Sequence, residues 1–284
     1  MSARNYLFSA MNGQLTIGKA TLTVKAVDTS RSYGDANPVF TASYNGFKNS
    51  DNINAIGLSG SVAMTTEATQ TSDAGVYPIT ASASGMSSKN YLFTAVNGQL
   101  TVGKATLTVK AKDTSRVYGE SNPTFTAQYN GFKNSDNISN IGLNGAPGMT
   151  TDATASTDAG TYPITTSTGN LTSKNYLFTA LNGQLTIGKA TLTVKAKDTS
   201  RVFGEVNPVF TASYTGFKNS ETATVIDTPP TATSTATATS NVGSYPIAVS
   251  GGTDNNYSFS YTAGSLTITK AAVSVLVSSA SRVY

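Results

Sequence analysis

The chain has 284 residues, of which 12% are charged and 38% hydrophobic, with a formal net charge of +4. It contains no His and no Cys, which excludes Ser-His-Asp and Cys-His nucleophilic sites, imidazole and thiolate metal centres, and any disulfide frame. No apolar run approaches the ~20 residues of a membrane-spanning helix, and +4 over this length is too weak to point to nucleic acid.

One unit repeats along the chain. Residues 20–104 overlay 105–189 without a gap, and 60 of the 85 positions carry the same residue. A third copy, 190–270, is four residues shorter. Residues 1–19 contain RNYLFSAMNGQLTIGK, which matches the C-terminal part of a preceding repeat, and 271–284 match the start of a fourth. We expect the chain to be a segment of a longer array. Solenoid and propeller units recur every ~20–50 residues and cannot bury a core alone. A unit of 85 can bury a small one, so the expectation is beads in series.

Taken in chain order, repeat 2 begins with Leu107-Thr-Val-Lys-Ala111, whose apolar–polar alternation marks a half-buried strand. Tyr118-Gly119-Glu120 and Asn122-Pro123 signal a turn. Phe125-Thr-Ala-Gln-Tyr129 alternates again. In Lys133–Ile141, Ser135 or Asp136 is placed to cap a single helical turn. Residues 142–156 are rich in Gly and Thr and leave room for one or two short edge strands.

Asp158-Ala-Gly-Thr-Tyr162-Pro-Ile164 has the form D-x-G-x-Y-x-apolar, and repeat 1 repeats it with Asp73, Gly75, Tyr77 and Ile79. This resembles the tyrosine corner of immunoglobulin-like sandwiches, with Ile164 standing where the second Cys would be. Repeat 3 keeps Gly243, Tyr245 and Ile247 but has Asn241 for the Asp. The last segment, Asn175–Ile187, reads as a hairpin turning at Asn182-Gly183, the favoured type I′ pair. The same pair stands at Asn12-Gly13 and Asn97-Gly98. About seven strand-like segments per repeat suit a small immunoglobulin-like β-sandwich. A β-grasp-like module with one short helix is the alternative.

Repeats meet at Gly103-Lys104-Ala105, Gly188-Lys189-Ala190 and Thr269-Lys270-Ala271, none of which is a flexible linker. Leu100 and Val102 are apolar on even positions, Leu107 and Val109 on odd ones. A one-residue shift exchanges the faces of a strand, so the joint must re-aim the chain, by a kink or bulge at the junction Gly. The fold class expected is all-β, tandem small immunoglobulin-like modules in an elongated, stiff rod.

Sites were sought and none is assigned: no catalytic, cofactor-binding or metal-ligating residue, and no cofactor. Asn49-Ser-Asp51-Asn-Ile-Asn54 is rich in oxygen ligands but lacks EF-hand spacing and its closing Glu. Lys104 and Lys189 invite an isopeptide bond to Asn, yet a solvated Lys at a strand end accounts for them. Repeated aromatics such as Tyr77, Phe40, Phe47 and Tyr91 read as core. Tyr261, aligned with Ala95 and Ala180, shares the parity of Phe259 and is expected to face inward too.

Tyr118-Gly119-Glu120 with Asn122-Pro123, then Phe125–Phe132, Gly160-Thr-Tyr-Pro-Ile164, Asn175-Tyr176 and Gly183-Gln-Leu-Thr186 resemble the MBG domain of the YGX type. Repeat 1 has Tyr33-Gly34-Asp35, and repeat 3 departs with Phe203-Gly204-Glu205. Such domains stand in tandem in large bacterial surface and secreted proteins, including adhesins. The resemblance implies an extracellular stalk or spacer that is not an enzyme; the alternatives are a directly adhesive repeat binding host or matrix ligands, and homotypic association in biofilms. The partners expected are neighbouring repeats of the same chain and an unidentified extracellular ligand of the full-length protein. Nucleic acid and membrane insertion are not among them, and the segment is expected to be a monomer.

Overall fold

In the computed structural model, which describes residues 2–282 and 284, every repeat forms the same seven strands. Repeat 1 contains β1 (Ala20–Ala26), β2 (Thr29–Ser32), β3 (Ala42–Asn45), β4 (Ala63–Thr65), β5 (Gly75–Ser82), β6 (Tyr91–Val96) and β7 (Gly98–Gly103). Repeat 2 contains β8 (Ala105–Ala111), β9 (Thr114–Val117), β10 (Ala127–Asn130), β11 (Gly148–Thr150), β12 (Gly160–Ser167), β13 (Tyr176–Leu181) and β14 (Gly183–Gly188). Repeat 3 contains β15 (Ala190–Ala196), β16 (Thr199–Val202), β17 (Ala212–Thr215), β18 (Thr231–Thr233), β19 (Gly243–Ser250), β20 (Tyr257–Thr262) and β21 (Gly264–Thr269). The architecture is all-β. The Lys133–Ile141 segment forms turns rather than a helical turn, and repeat 3 has a single 3-10 turn at Ala223–Val225.

A repeat is built from two sheets, of order β3-β1-β6 and β2-β7-β5-β4 in repeat 1, recurring as β17-β15-β20 and β16-β21-β19-β18 in repeat 3. The pairing is antiparallel except at two places: β1 runs parallel to β6, and β2 parallel to β7. Two lengths of chain, β1-β2 and β6-β7, therefore lie side by side and step together from one sheet to the other. The steps are short, Val27-Asp28 on one and Asn97 on the other. Asp28 secures the first by accepting the Gln99 N–H (2.9 Å), and Asn97 secures the second by accepting the Ala81 N–H (3.0 Å).

This overturns the hairpin expected at Asn-Gly. β6 and β7 flank Asn97 but belong to different sheets, and Gly98 is outside the left-handed region that a type I′ turn requires. Its glycine has another cause. A Cβ on Gly98 would stand 2.5 Å from the Ala26 carbonyl oxygen, on Gly183 2.2 Å from that of Ala111, and on Gly264 2.5 Å from that of Ala196. The glycine lets the two parallel lengths touch where both change sheet. Repeat 3 carries Ala263 in place of the Asn and keeps the glycine.

The change of parity between repeats is present as expected. Gly98, Leu100 and Val102 are buried in β7, and Ala105, Leu107, Val109 and Ala111 in β8. Gly103 has no positive φ, and a Cβ there would meet only the Arg31 carbonyl oxygen, at an ordinary 3.7 Å, so nothing at this position demands glycine. The strand leaves the four-stranded sheet of one repeat and, after Lys104 alone, begins the first strand of the next.

The chain divides into two compact units that do not coincide with the repeats. The first takes residues 1–108, 129–146 and 168–179, and the second 109–128, 147–167 and 180–284. The first unit contains all of repeat 1 and the part of repeat 2 adjoining it. Its main core cluster joins Ala26, Ile79, Leu100 and Val102 to Ala105, Leu107, Ile141 and Tyr176. In the second unit Ile164, Leu185 and Ile187 are joined in the same way to Ala190, Leu192 and Tyr257. The repeats are thus not beads with separate cores. The first strands of repeats 2 and 3 each complete the core of the repeat before it.

Substituting Gly98 by Ala should destabilise the chain by about 1–3 kcal/mol through overpacking, whereas Asn97→Ala should cost about 1 kcal/mol, the worth of one hydrogen bond. Urea denaturation of both variants measures the ranking. The reverse order would restore the turn as the reason for this pair.

Candidate functional site: the joint between repeats

The Tyr-Gly-acid motif of repeats 1 and 2 lies where one repeat meets the next. In the first unit Tyr33 follows β2, and its N–H donates to the carbonyl of Gly103 at the end of β7 (2.7 Å). This anchors the tip to its own repeat. The Tyr33 side chain then reaches repeat 2. Its ring meets Tyr176 edge to face, with centroids 5.6 Å apart at 77°, and its hydroxyl donates to Asp136 Oδ2 (3.0 Å). Tyr176 donates to the same Asp136 oxygen (2.7 Å) and accepts the Lys133 N–H (2.9 Å). A carboxylate is thereby held between two tyrosine hydroxyls, one from each repeat.

The loop that presents the acid is a tight turn, Lys133-Asn134-Ser135-Asp136, in which Asp136 N–H donates to the Lys133 carbonyl (3.0 Å). Asn134 adopts φ 53° there, a left-handed conformation that Asn tolerates better than most residues. The glycine of the motif is required twice over. Gly34 has φ +85°, and a Cβ on it would stand 2.4 Å from Cβ of Lys133. Around this contact Asp35 pairs with Lys133 (3.1 Å). Asp73, from the D-x-G-x-Y segment, pairs with Lys174 (2.5 Å) and accepts from Asn175 Nδ2 (2.8 Å), while Asn175 Oδ1 accepts the Ala74 N–H (2.9 Å).

The second unit repeats the arrangement. Tyr118 packs edge to face on Tyr257 at 5.6 Å and 81°, and the two hydroxyls donate to Oε1 and Oε2 of Glu221, each at 2.6 Å. A Cβ on Gly119 would stand 2.3 Å from Cβ of Lys218. Asn256 donates to Asp158 (2.8 Å) and accepts the Ala159 N–H (2.8 Å). Asn255 stands where the first joint has Lys174, so this joint has no counterpart of the Asp73 ion pair.

Burial and the neighbouring charge shift the groups at these joints. Burial, then the hydrogen bond to the Asp136 carboxylate, pushes the Tyr176 hydroxyl up to about 12. Tyr257 is raised by burial and by Glu221 in the same way. Tyr33 and Tyr118 are raised chiefly by burial. The hydrogen bonds from Lys174 and Asn175 hold Asp73 below the usual carboxylate range.

The other residues singled out from the sequence find plain places. Tyr77, Tyr162 and Tyr245 each donate to the backbone carbonyl four residues upstream, at Asp73 (2.9 Å), Asp158 (2.9 Å) and Asn241 (3.0 Å). The acceptor is main chain, which is why Asn241 serves as well as Asp. Asp51, in the loop considered for calcium, accepts from the Tyr91 hydroxyl (2.7 Å), as Asp136 at the same place in repeat 2 does from Tyr176 and Tyr33. No group of three or more acidic ligands lies together among the described residues. The Lys104 ammonium donates to the Ser173 carbonyl (2.8 Å), and Lys189 to that of Asp254 (2.7 Å). Neither ammonium is hydrogen-bonded to an Asn side chain. Tyr261 does not face the core: it is 41% exposed at the end of β20, stacked over Phe259.

Sequence reasoning passed over one residue set. Arg31, Arg116 and Arg201 are buried on the inward parity of β2, β9 and β16. Among the described residues no carboxylate forms an ion pair with them. Arg31 Nε donates to Asn37 Oδ1 (2.7 Å), Nη1 to the Ser32 carbonyl (3.1 Å) and Nη2 to that of Thr69, while Asn37 donates on to the Ala68 carbonyl (2.6 Å). The guanidinium ties the loop after the Tyr-Gly tip to the loop before β5 and so holds the tip in place. Its recurrence in a chain where charge is scarce, at an inward-facing position, was the available signal.

Two outcomes follow from the joint geometry. Gly34→Ala and Gly204→Ala both force a left-handed alanine, at about 1–2 kcal/mol. Nothing lies within 4 Å of a Cβ on Gly204, so Gly34→Ala should cost more, by about a further 1–3 kcal/mol for the clash; equal losses in chemical denaturation would refute the close approach. In alkali the direction is set by Tyr176. An unfolded tyrosine ionises near 10 and the folded one at about 12. The folded state therefore binds more protons between these values. Its contribution is complete below about pH 10 and is lost by about pH 12, and melts of Tyr176→Phe should show a shallower decline than the parent over that range.

Matches to the MBG domain (YGX type) cover residues 22–101, 107–186 and 192–267. No match was found among curated proteins. The Tyr-Gly-acid motif that gives the type its name is here the tip of the joint. With three matches in tandem over most of its length, the chain belongs to the MBG domain family of the YGX type.

Proposed function

We propose that this chain is a spacer segment of a bacterial surface or secreted protein, a stalk that carries a distal binding region away from the cell. The observation that supports it is the joint. Consecutive repeats are linked through one residue, share a core, and clasp a carboxylate between two tyrosines at both junctions. Flexible linkers would leave domain orientation free; a shared core commits each repeat to its neighbour. In this reading the segment catalyses nothing, in keeping with a family that is not one of enzymes and with a chain that lacks His and Cys. No helix among the described residues is long and apolar enough to cross a membrane.

A second reading has one observation in its favour. Leu92 and Leu177 occupy the same position of β6 and β13 and are each 58% exposed. A repeated apolar residue of this kind could bind host or matrix ligands weakly and gain by avidity. Replacing residues 20–270 in the full-length protein by an unrelated spacer of similar length separates the two. Adhesion retained supports the stalk, and adhesion lost, together with binding of this segment to a glycan or matrix-protein array, supports direct adhesion.

A further inference from the structure

In repeats 1 and 3 the chain enters on one of two parallel lengths and leaves on the other. β1 pairs with β6 from Ala20↔Tyr91 to Lys25↔Val96, and β2 with β7 from Thr29↔Leu100 to Ser32↔Gly103. Repeat 3 keeps this register, from Ala190↔Tyr257 to Lys195↔Thr262 and from Thr199↔Leu266 to Val202↔Thr269. Entry at Ala20 and exit at Gly103 therefore lie at opposite ends of the paired lengths. Tension between them pulls β1-β2 and β6-β7 in opposite directions along the ladder. The evenly spaced bonds of a parallel pair then share the load. Load in this direction does not open the pairs one at a time from an end.

Two features resist sliding. The first is the crossing, where Gly98 admits the Ala26 carbonyl only because it has no Cβ. Under tension β1 would move toward the start of β6, which brings that carbonyl against Asn97 and then Val96, each with a Cβ. The second is the tip. Tyr33 follows β2 directly, its N–H bonded to the Gly103 carbonyl (2.7 Å) and its side chain buried in the repeat 2 socket of Lys133, Asp136 and Tyr176. The exit strand β7 leads through Lys104 into that same repeat. Sliding β1-β2 toward the entry must therefore withdraw Tyr33 from the repeat to which the exit strand is tied.

We propose that the two parallel lengths are a load-bearing clamp, in which tension along the chain is carried in shear and the Tyr33 tip is the stop. The proposal rests on the stalk reading for the source of the load. Forced unfolding is governed by the unfolding rate rather than by equilibrium stability. Groups on the load path therefore count for more in it than groups of equal worth to stability that lie off the path. β4 is off the path: it is the edge strand of its sheet and pairs with β5 alone.

Pulling on single molecules of the full chain tests this. The chain has no Cys, so an introduced Cys is a unique point of attachment. Handles at the two chain ends load the clamp in shear. A handle at the N-terminal end and another on Lys89→Cys, an exposed position near the Ala20↔Tyr91 pair, peel β1 from β6 instead. At equal loading rate the weakest end-to-end rupture should exceed the peeling rupture about twofold or more, since forced unfolding reads the barrier along the direction of pull. Tyr33→Ala should lower one of the end-to-end ruptures. Met64→Ala in β4, packed on the same core, should lose stability in urea and leave the ruptures unchanged. Equal forces in the two geometries, or end-to-end ruptures that follow urea stability alike in both variants, overturn the clamp. The comparison of geometries keeps Tyr33 and its socket intact, so it decides the matter even where Tyr33→Ala fails to fold. These forces are read on the isolated chain, and the spacer replacement on adhesion by the full-length protein, so either can fail without the other.

Discussion

Everything distinctive in this chain depends on how closely one repeat's tip glycine approaches the next repeat. With φ +85° and no room for a Cβ against Lys133, Gly34 lets the tip settle deep enough for Tyr33 to bury its ring on Tyr176. The magnitudes say what holds there. An aromatic pair in this geometry contributes about 0.5–1.5 kcal/mol beyond its burial, and removing a core leucine such as Leu107 costs about 2–5 kcal/mol. The ion pairs around the rim are largely exposed and contribute little by comparison. The second joint, without a counterpart of the Asp73–Lys174 pair, retains the ring contact, the clasped acid and the shared core. Apolar burial makes the joint, and the polar groups set its register.

Local and periodic features were legible in the sequence. The repeat, seven strands per repeat, the change of parity at Lys104 and the tyrosine bond to backbone all follow from spacing that a short window contains. Asn97-Gly98 was misread because its meaning is not local. The residues on either side do alternate as strands, but whether they pair with each other depends on β1 and β5, far away in sequence. A pentapeptide makes the same point. Gln-Leu-Thr-Ile-Gly forms β-strand at 184–188, with Leu185 fully buried, and no regular structure at 14–18, where Leu15 is 85% exposed. The strand propensity is identical; what differs is the presence of β9 and β12 to pair with.

The joint itself was half visible. The Tyr-Gly-acid motif, the Asn-Ser-acid loop and the Asn-Tyr pair were each evident as repeated strings, yet they lie 103 and 40 residues apart as partners of a single carboxylate. Read one repeat at a time, the loop acid looks like a possible ligand or helix cap, and the motif tyrosine like core. Only across the boundary of a repeat do they become one site. The expectation of separate beads hid this, because it assigned each repeat a core of its own. For a unit of this size the fraction of surface buried is small, and lending the first strand to the neighbour's core relieves the deficit in both.

The two joints also show what the site tolerates. Asp136 serves both tyrosines through one oxygen, at 3.0 and 2.7 Å. Glu221, longer by one methylene, gives a separate oxygen to each, both at 2.6 Å. The residue changes while the carboxylate stays between the two hydroxyls. Asp158 likewise keeps its bond to Asn256 although the lysine beside it has become Asn255. What recurs is a pattern of donors and acceptors fixed by backbone turns, and the side chains that fill it can vary in length and charge. The glycine cannot, since Gly34 and Gly119 alike have no space for a Cβ. A repeat array of this kind can therefore grow by duplication and then diverge at its joints, provided the tip keeps its glycine and the socket its acid.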